Sequence, residues 1–117
     1  MKKLITILFI GLVSLTINAQ DKVAKIDFSC IARAIAMRKT EGFFKIIVTN
    51  DDEMKILGMR AIGEHAASAI QAVALLIQMG QGIRELADMI HPHPSITEGV
   101  QECLRMLLNR SIQYLSF

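Results

Sequence analysis

The stretch IHPHPSITEG, residues 90–99, places two histidines directly before prolines and a glutamate, Glu98, five residues after the second. Histidine exchanges a proton near neutral pH and is the commonest metal ligand, so His91 and His93 are the first candidates for chemistry. Proline fixes its own φ, removes a backbone donor and pushes the preceding residue toward extended geometry. Both histidines therefore lie on a stiffened, non-helical link. Such a link has three possible uses. It is a plain helix start if Ser95-Ile96-Thr97-Glu98 forms an S-x-x-E capping box, with Ser95 as N-cap and Glu98 bonding back to its N–H. It is a metal site if His91, His93 and His65 converge on zinc. However, His-x-His alone is a weak pattern and no Cys or carboxylate falls at a usual ligand spacing, so no metal is expected. It is an acid/base site if one histidine is held for proton transfer.

The other reactive side chains are Cys30 and Cys103. They are far apart and neither sits in a C-x-x-C motif. Two buried free thiols are the plainer expectation, because free cysteine is among the most buried residue types. Pairing would need an oxidising compartment and Cα atoms within reach of each other.

The elements that must position these residues follow from pattern. Residues 22–28, KVAKIDF, alternate and read as a short strand. SCIARAIAMRK then places Ile31, Ala34 and Ile35 at helical spacing, with Ser29 as a possible cap. Residues 42–63 read as a hairpin. Phe43–Val48 is rich in β-branched and aromatic residues, Asn50, Asp51 and Asp52 supply turn chemistry, and Met54–Ile62 returns with Gly58 marking a bulge or close approach. Three helices complete the pattern. The first, over 64–79, carries Ala66, Ile70, Val73 and Ile77 on one face, with Ala69 and Ala72 widening it, and ends at Gly80 and Gly82. The second, over 83–90, carries Ile83, Leu86, Ala87 and Ile90. The third, over 97–110, carries Val100, Cys103, Leu104 and Leu107. Strands followed by helices predict an α+β domain, an antiparallel sheet with helices packed on one side.

The N-terminus is of a different kind. MKKLITILFIGLVSLTINAQ has two lysines, an apolar run from Leu4 to Ile17 and a small-residue exit, the layout of a secretory signal with cleavage after Ala19. It is short for a membrane span, which takes about 20 apolar residues. The expected organisation is a signal-like segment over 1–20 and one domain over 21–117. Export to an extracellular or periplasmic compartment is expected if the leader is real, and a cytoplasmic location if it is not. Without residues 1–19 the charge falls from +2 to eleven basic against eleven acidic residues. The pI near 8.7 therefore comes largely from the leader. No basic cluster survives to meet phosphates, which argues against nucleic acid as a partner.

Read in order, the segments carry a resemblance. Gly42, Phe43 and Lys45 form a G-F-x-K strand, and Ile56, Leu57 and Gly58 an I-L-G return strand. Gly63, His65 and Ala66 open a long helix. A short helix and then H-x-H-P-x-x-x-E follow. The ordered set, over roughly residues 22–112 and most clearly 41–102, resembles the C-terminal dimerisation domain of the pyridine nucleotide–disulfide oxidoreductases. These include dihydrolipoamide dehydrogenase, glutathione reductase and mercuric reductase. The resemblance implies an obligate homodimer, or a subunit of a full-length flavoenzyme using FAD and NAD(P). It implies that His93 is the acid/base that reaches the partner subunit's redox disulfide, with Glu98 orienting it and a cis bond between His93 and Pro94. His91 would be structural or line the flavin pocket. The chain has no G-x-G-x-x-G, no C-x-x-x-x-C pair and no second dinucleotide-binding domain, and the family's first strand has no counterpart before residue 22. It therefore resembles a fragment, which alone holds neither cofactor.

Overall fold

The computed structural model describes residues 20–112. The expected apolar helix at the N-terminus, the leader and its cleavage point up to Ala19 lie outside the described residues. No helix among the described residues is long and apolar enough to cross a membrane.

Three antiparallel strands stand in the order β1 (Lys22–Asp27), β2 (Gly42–Val48), β3 (Ile56–Gly63). Alternation sets the faces, because successive side chains of a strand point to opposite sides. Ala24 and Ile26 of β1 and Phe44, Ile46 and Val48 of β2 point into the core, while Lys25 and Lys45 point to solvent. On the outer face Lys25 pairs with Asp27 at 2.9 Å and lies 4.8 Å from the Phe43 ring centre. On the inner face Phe28 and Phe44 are fully buried with ring centres 4.9 Å apart at a 60° tilt, a favoured aromatic geometry.

The hairpin differs from its expected bounds at one end. The return strand starts at Ile56, because Asp51 holds Met54 in the turn: its Oδ1 accepts the Met54 N–H at 2.9 Å and the Thr49 hydroxyl at 2.8 Å. Met54 takes a left-handed φ of 46°. The irregularity expected at Gly58 is present beside it. Ile47 faces Gly58 and Val48 faces Ile56, so Leu57 is the extra residue of a bulge.

Between the first two strands, Phe28–Cys30 form a 3-10 turn and α1 spans Ala32–Ala36. Ser29 does not cap it; Ile31 stands at the cap with no side-chain bond. The single helix expected over 64–79 is broken into α2 (Ala66–Ala69) and α3 (Gln71–Met79), with Ile70 between them. The buried stripe is not the expected one. Ala66, Ala69 and Val73 are buried, but Ile70 and Ile77 are turned toward solvent rather than into the core. Gly80 ends α3 in the left-handed region at φ 63°, as a C-terminal glycine does. α4 (Arg84–Asp88) buries Leu86 and Ala87, with Ile83 buried just before it. Ile90 lies beyond the helix and is 94% exposed, so it leaves the expected stripe. α5 (Thr97–Leu107) lies against β1 and β2 and is buried continuously from Gly99 to Leu104. The sheet-with-helices architecture read from the sequence is the observed one.

Candidate active site

Both ends of the Met89–Ile96 link are fastened before His93 is reached. The final carbonyls of a helix have no intrahelical partner. Here the His91 Nε2–H donates to the Leu86 carbonyl at 3.1 Å, a bond that requires the proton on Nε2. The buried Gln101 amide donates to the Ala87 and Met89 carbonyls at 2.9 and 3.0 Å. The end of α4 is thereby tied to α5, and the departure of the link is fixed. His91 is half-buried and ties the link to the end of α4.

At the other end the His93–Pro94 bond is cis, matching the family pattern. His93 Nδ1 is 2.8 Å from Glu98 Oε1 and 3.1 Å from Oε2. The same carboxylate accepts the Ser95 N–H at 2.9 Å, and the Ser95 hydroxyl accepts the Glu98 N–H at 3.3 Å. Orienting the histidine and closing the capping box are alternatives in the sequence, yet the structure satisfies both. An ionised carboxylate offers about four acceptor sites on two oxygens, and His93 and Ser95 approach it from the same turn. Helix start and histidine orientation are thus one device.

The geometry defines the chemistry available. A carboxylate only accepts, so the His93 ring presents its proton on Nδ1 to Glu98 and leaves Nε2 free to take or give a proton. The His93 side chain is 71% exposed and Glu98 25% exposed. A pair so exposed adds only about 0.2–1 kcal/mol to stability, so its value lies in fixing the tautomer and aim of the ring.

Gly99, one residue after Glu98, sets how closely α5 can approach. A Cβ there would stand 2.3 Å from Ile31 Cδ1. Behind the pair a small cavity of about 110 Å³ is lined by Ile31, Glu98, Glu102 and Arg105. Glu102 is buried and accepts from Arg105 Nη1 at 3.2 Å, the Ser111 hydroxyl at 3.0 Å and the Ile112 N–H at 3.3 Å. Gln101 and Glu102 were not legible as site residues. A polar residue on an amphipathic helix reads as solvent-facing, and burial all round α5 leaves no signal in a single apolar stripe.

The remaining candidates stand elsewhere. His65 precedes α2 in the left-handed region at φ 60°, a turn residue as expected. It does not join His91 and His93 in a cluster. Among the described residues no three His, Cys, Asp or Glu side chains gather to hold a metal ion. Cys30 and Cys103 do not pair with each other; Cys103 is buried and Cys30 half-buried. Burial pushes the Cys103 thiol up to about 12, and its Sγ faces the Phe44 carbonyl at 3.6 Å. It is a core side chain, not a nucleophile.

With this geometry in hand, comparison with known proteins assigns the class. The family model described as the pyridine nucleotide-disulphide oxidoreductase dimerisation domain matches residues 6–104, and the chain belongs to that family. Dihydrolipoyl dehydrogenase of Thermus scotoductus is 32% identical over 95 residues, which is 81% of this chain and 20% of that enzyme. Dihydrolipoyl dehydrogenase of Chlamydia muridarum is 36% identical over 77 residues, 66% of this chain and 16% of that enzyme. Among solved structures, an HOCl-induced flavoprotein disulfide reductase of Escherichia coli, in a Cu(II) complex, superposes with a TM-score of 0.71 at 26% identity. That match covers 80% of this chain and 21% of the reductase. The chain thus spans about one fifth of the length of the relatives it matches, and the family match begins inside the apolar run that reads as a leader.

Proposed function

We propose that this domain pairs two subunits of an FAD-dependent, NAD(P)-linked disulfide oxidoreductase and supplies His93 to the redox disulfide of the partner subunit. The observation that carries the proposal is the His93 Nδ1–Glu98 bond, which leaves Nε2 exposed at the surface of the domain. In thiol–disulfide exchange the thiolate is the attacking species. Nε2 takes the proton of the attacking thiol, the sulfur bonds one atom of the disulfide, and the other sulfur leaves with the bonding pair. The imidazolium returns its proton to the released thiolate, and Glu98 stabilises the charged ring in between. Bound flavin and pyridine nucleotide supply electron transfer in such enzymes. The residues of this chain do not themselves fit either group. The sequence has no G-x-G-x-x-G turn, and the three strands described are antiparallel rather than a βαβ dinucleotide unit.

The test is turnover by the native protein that carries this domain. His93→Gln is expected to lower disulfide reduction by about 10²–10⁴-fold, the usual worth of a positioned acid/base. Unchanged turnover would remove His93 from the chemistry.

A second reading rests on the leader-like pattern of residues 1–20: a small exported dimerisation protein without chemistry. The two readings treat residues 1–20 differently. A cleaved leader goes with export, and a cytoplasmic location is the alternative if residues 1–20 are not a leader. The family match from residue 6 supports the second treatment. The intact mass of the native protein ending at Phe117 separates them. A species starting near Gln20 supports the exported protein, and a larger, yellow species supports the reductase.

A further inference from the structure

A second concavity, of about 440 Å³, lies beside the link and is lined by Arg33, His65, Ser68, Pro94, Ser95 and Thr97 among others. Its chemistry is one-sided. No carboxylate lines it, although the chain has 11 acidic residues. The Arg33 guanidinium makes no hydrogen bond or ion pair among the described residues, and neither does the His65 ring. The Ser95 and Thr97 hydroxyls bond each other at 2.9 Å, and that bond leaves one hydroxyl proton free to turn toward a guest. The first amides of α5 are already engaged, Glu98 N–H by the Ser95 hydroxyl and Gly99 N–H by the Ile96 carbonyl, so the side chains carry the site. Guanidinium, imidazole and hydroxyls share one complement, an oxyanion, which arginine grips by two parallel bonds.

We propose that this cleft binds the oxyanion group of a small molecule, a carboxylate or a phosphate, with Arg33 as its anchor. His65, Ser68 and Thr97 orient the group, and the buried Ala69 and Ile96 form an apolar floor for the body of the ligand. The site adjoins the His93–Glu98 pair through Ser95, but neither His93 nor Glu98 lines it, so it stands whether or not His93 acts on a disulfide.

The experiment uses the full chain, labelled with ¹⁵N. It is titrated with sodium phosphate and, separately, sodium acetate, with ionic strength held constant by sodium chloride. The Arg33 Nε–Hε, His65 and Thr97 signals are followed. The expected result is saturating shifts centred on these residues, with a midpoint in the millimolar range or below. Arg33→Gln should weaken binding at least about tenfold, and Arg33→Lys, which keeps the charge and loses the fork, should fall between. Saturation by phosphate alone, or by acetate alone, supports the site and names its oxyanion. Non-saturating shifts, equal shifts in chloride, or no change in either Arg33 variant would overturn it. If Arg33→Gln fails to fold, the lysine variant carries the comparison. No flavin subunit enters the measurement, so its failure is distinct from failure of the role given to His93.

Discussion

Glu98 Oε1 faces Nδ1 of His93, while Oε2 also takes the Ser95 N–H. Any substitution at Glu98 therefore acts twice. Glu98→Ala should cost about 0.5–2 kcal/mol of stability, the range for losing a helix cap, and this is read by urea denaturation. It should also release the ring: in the native chain the neutral His93 should carry its proton on Nδ1, and in the variant as a mixture. Ring ¹⁵N shifts report that directly, and an unchanged tautomer in the variant would show that Glu98 does not orient His93. Cys103 gives an independent residue-level check. With its thiol pushed up by burial to about 12, it should resist alkylation near neutral pH in the folded chain and react on unfolding, as counted by mass. The contact between His93 and Glu98 and the cis bond to Pro94 were legible in the sequence through the resemblance to a family motif. Gln101 and Glu102 were not, because nothing local says that a polar helical side chain will be buried and bonded to carbonyls fourteen residues back or to a chain segment ten residues on.

α5 and the hairpin turn are the elements on which the site depends. α5 is held close to Ile31 by the missing side chain of Gly99, where an added Cβ would stand 2.3 Å from Ile31 Cδ1. Gly99→Ala should destabilise the domain by about 1–3 kcal/mol, an overpacking cost, with a lowered denaturation midpoint. Since Glu98 precedes Gly99, the same change should perturb the His93 ring signals. In the hairpin, hydrogen bonds from the Thr49 hydroxyl and then the Met54 N–H hold the Asp51 carboxyl below its ordinary 3.8. A group depressed in the folded state stabilises above its unfolded value and loses that contribution as pH falls through the folded value. Exchange protection of the Met54 amide should therefore fall in acid in the native chain and be low and flat with pH in Asp51→Ala. At this scale the sequence located the strands and helices of the described residues, and it erred where side chains compete with the backbone or two stripes overlap. Met54 was placed in β3 because its capture by Asp51 has no signature in periodicity. Ile70 was placed on the core face because the stripes 66/70/73/77 and 66/69/73 are both apolar at helical spacing, and the core takes the second.

For the whole molecule, the inner sheet face is sealed by helices while an apolar helical surface is left open. Leu75 is 58% exposed and Met79 57%, one turn apart on α3, and Ile70, Ile77 and Ile90 are exposed elsewhere on the described helices and link. Exposed apolar groups in this number, on a chain that belongs to a dimerisation-domain family, are the surface that the proposed pairing would cover. The fold class and the family were both legible from the order of motifs. Which helix residues enter the core and which stay exposed was not, because both look equally apolar in sequence. Sedimentation equilibrium of the full chain at high micromolar concentration tests the central claim most directly, with circular dichroism to verify folding. The expected result is a mass twice that of the protomer, shifted toward the single mass by Leu75→Glu without loss of helix content. A folded chain that stays at the single mass across the concentration range would contradict the claim that this domain pairs with itself to present His93.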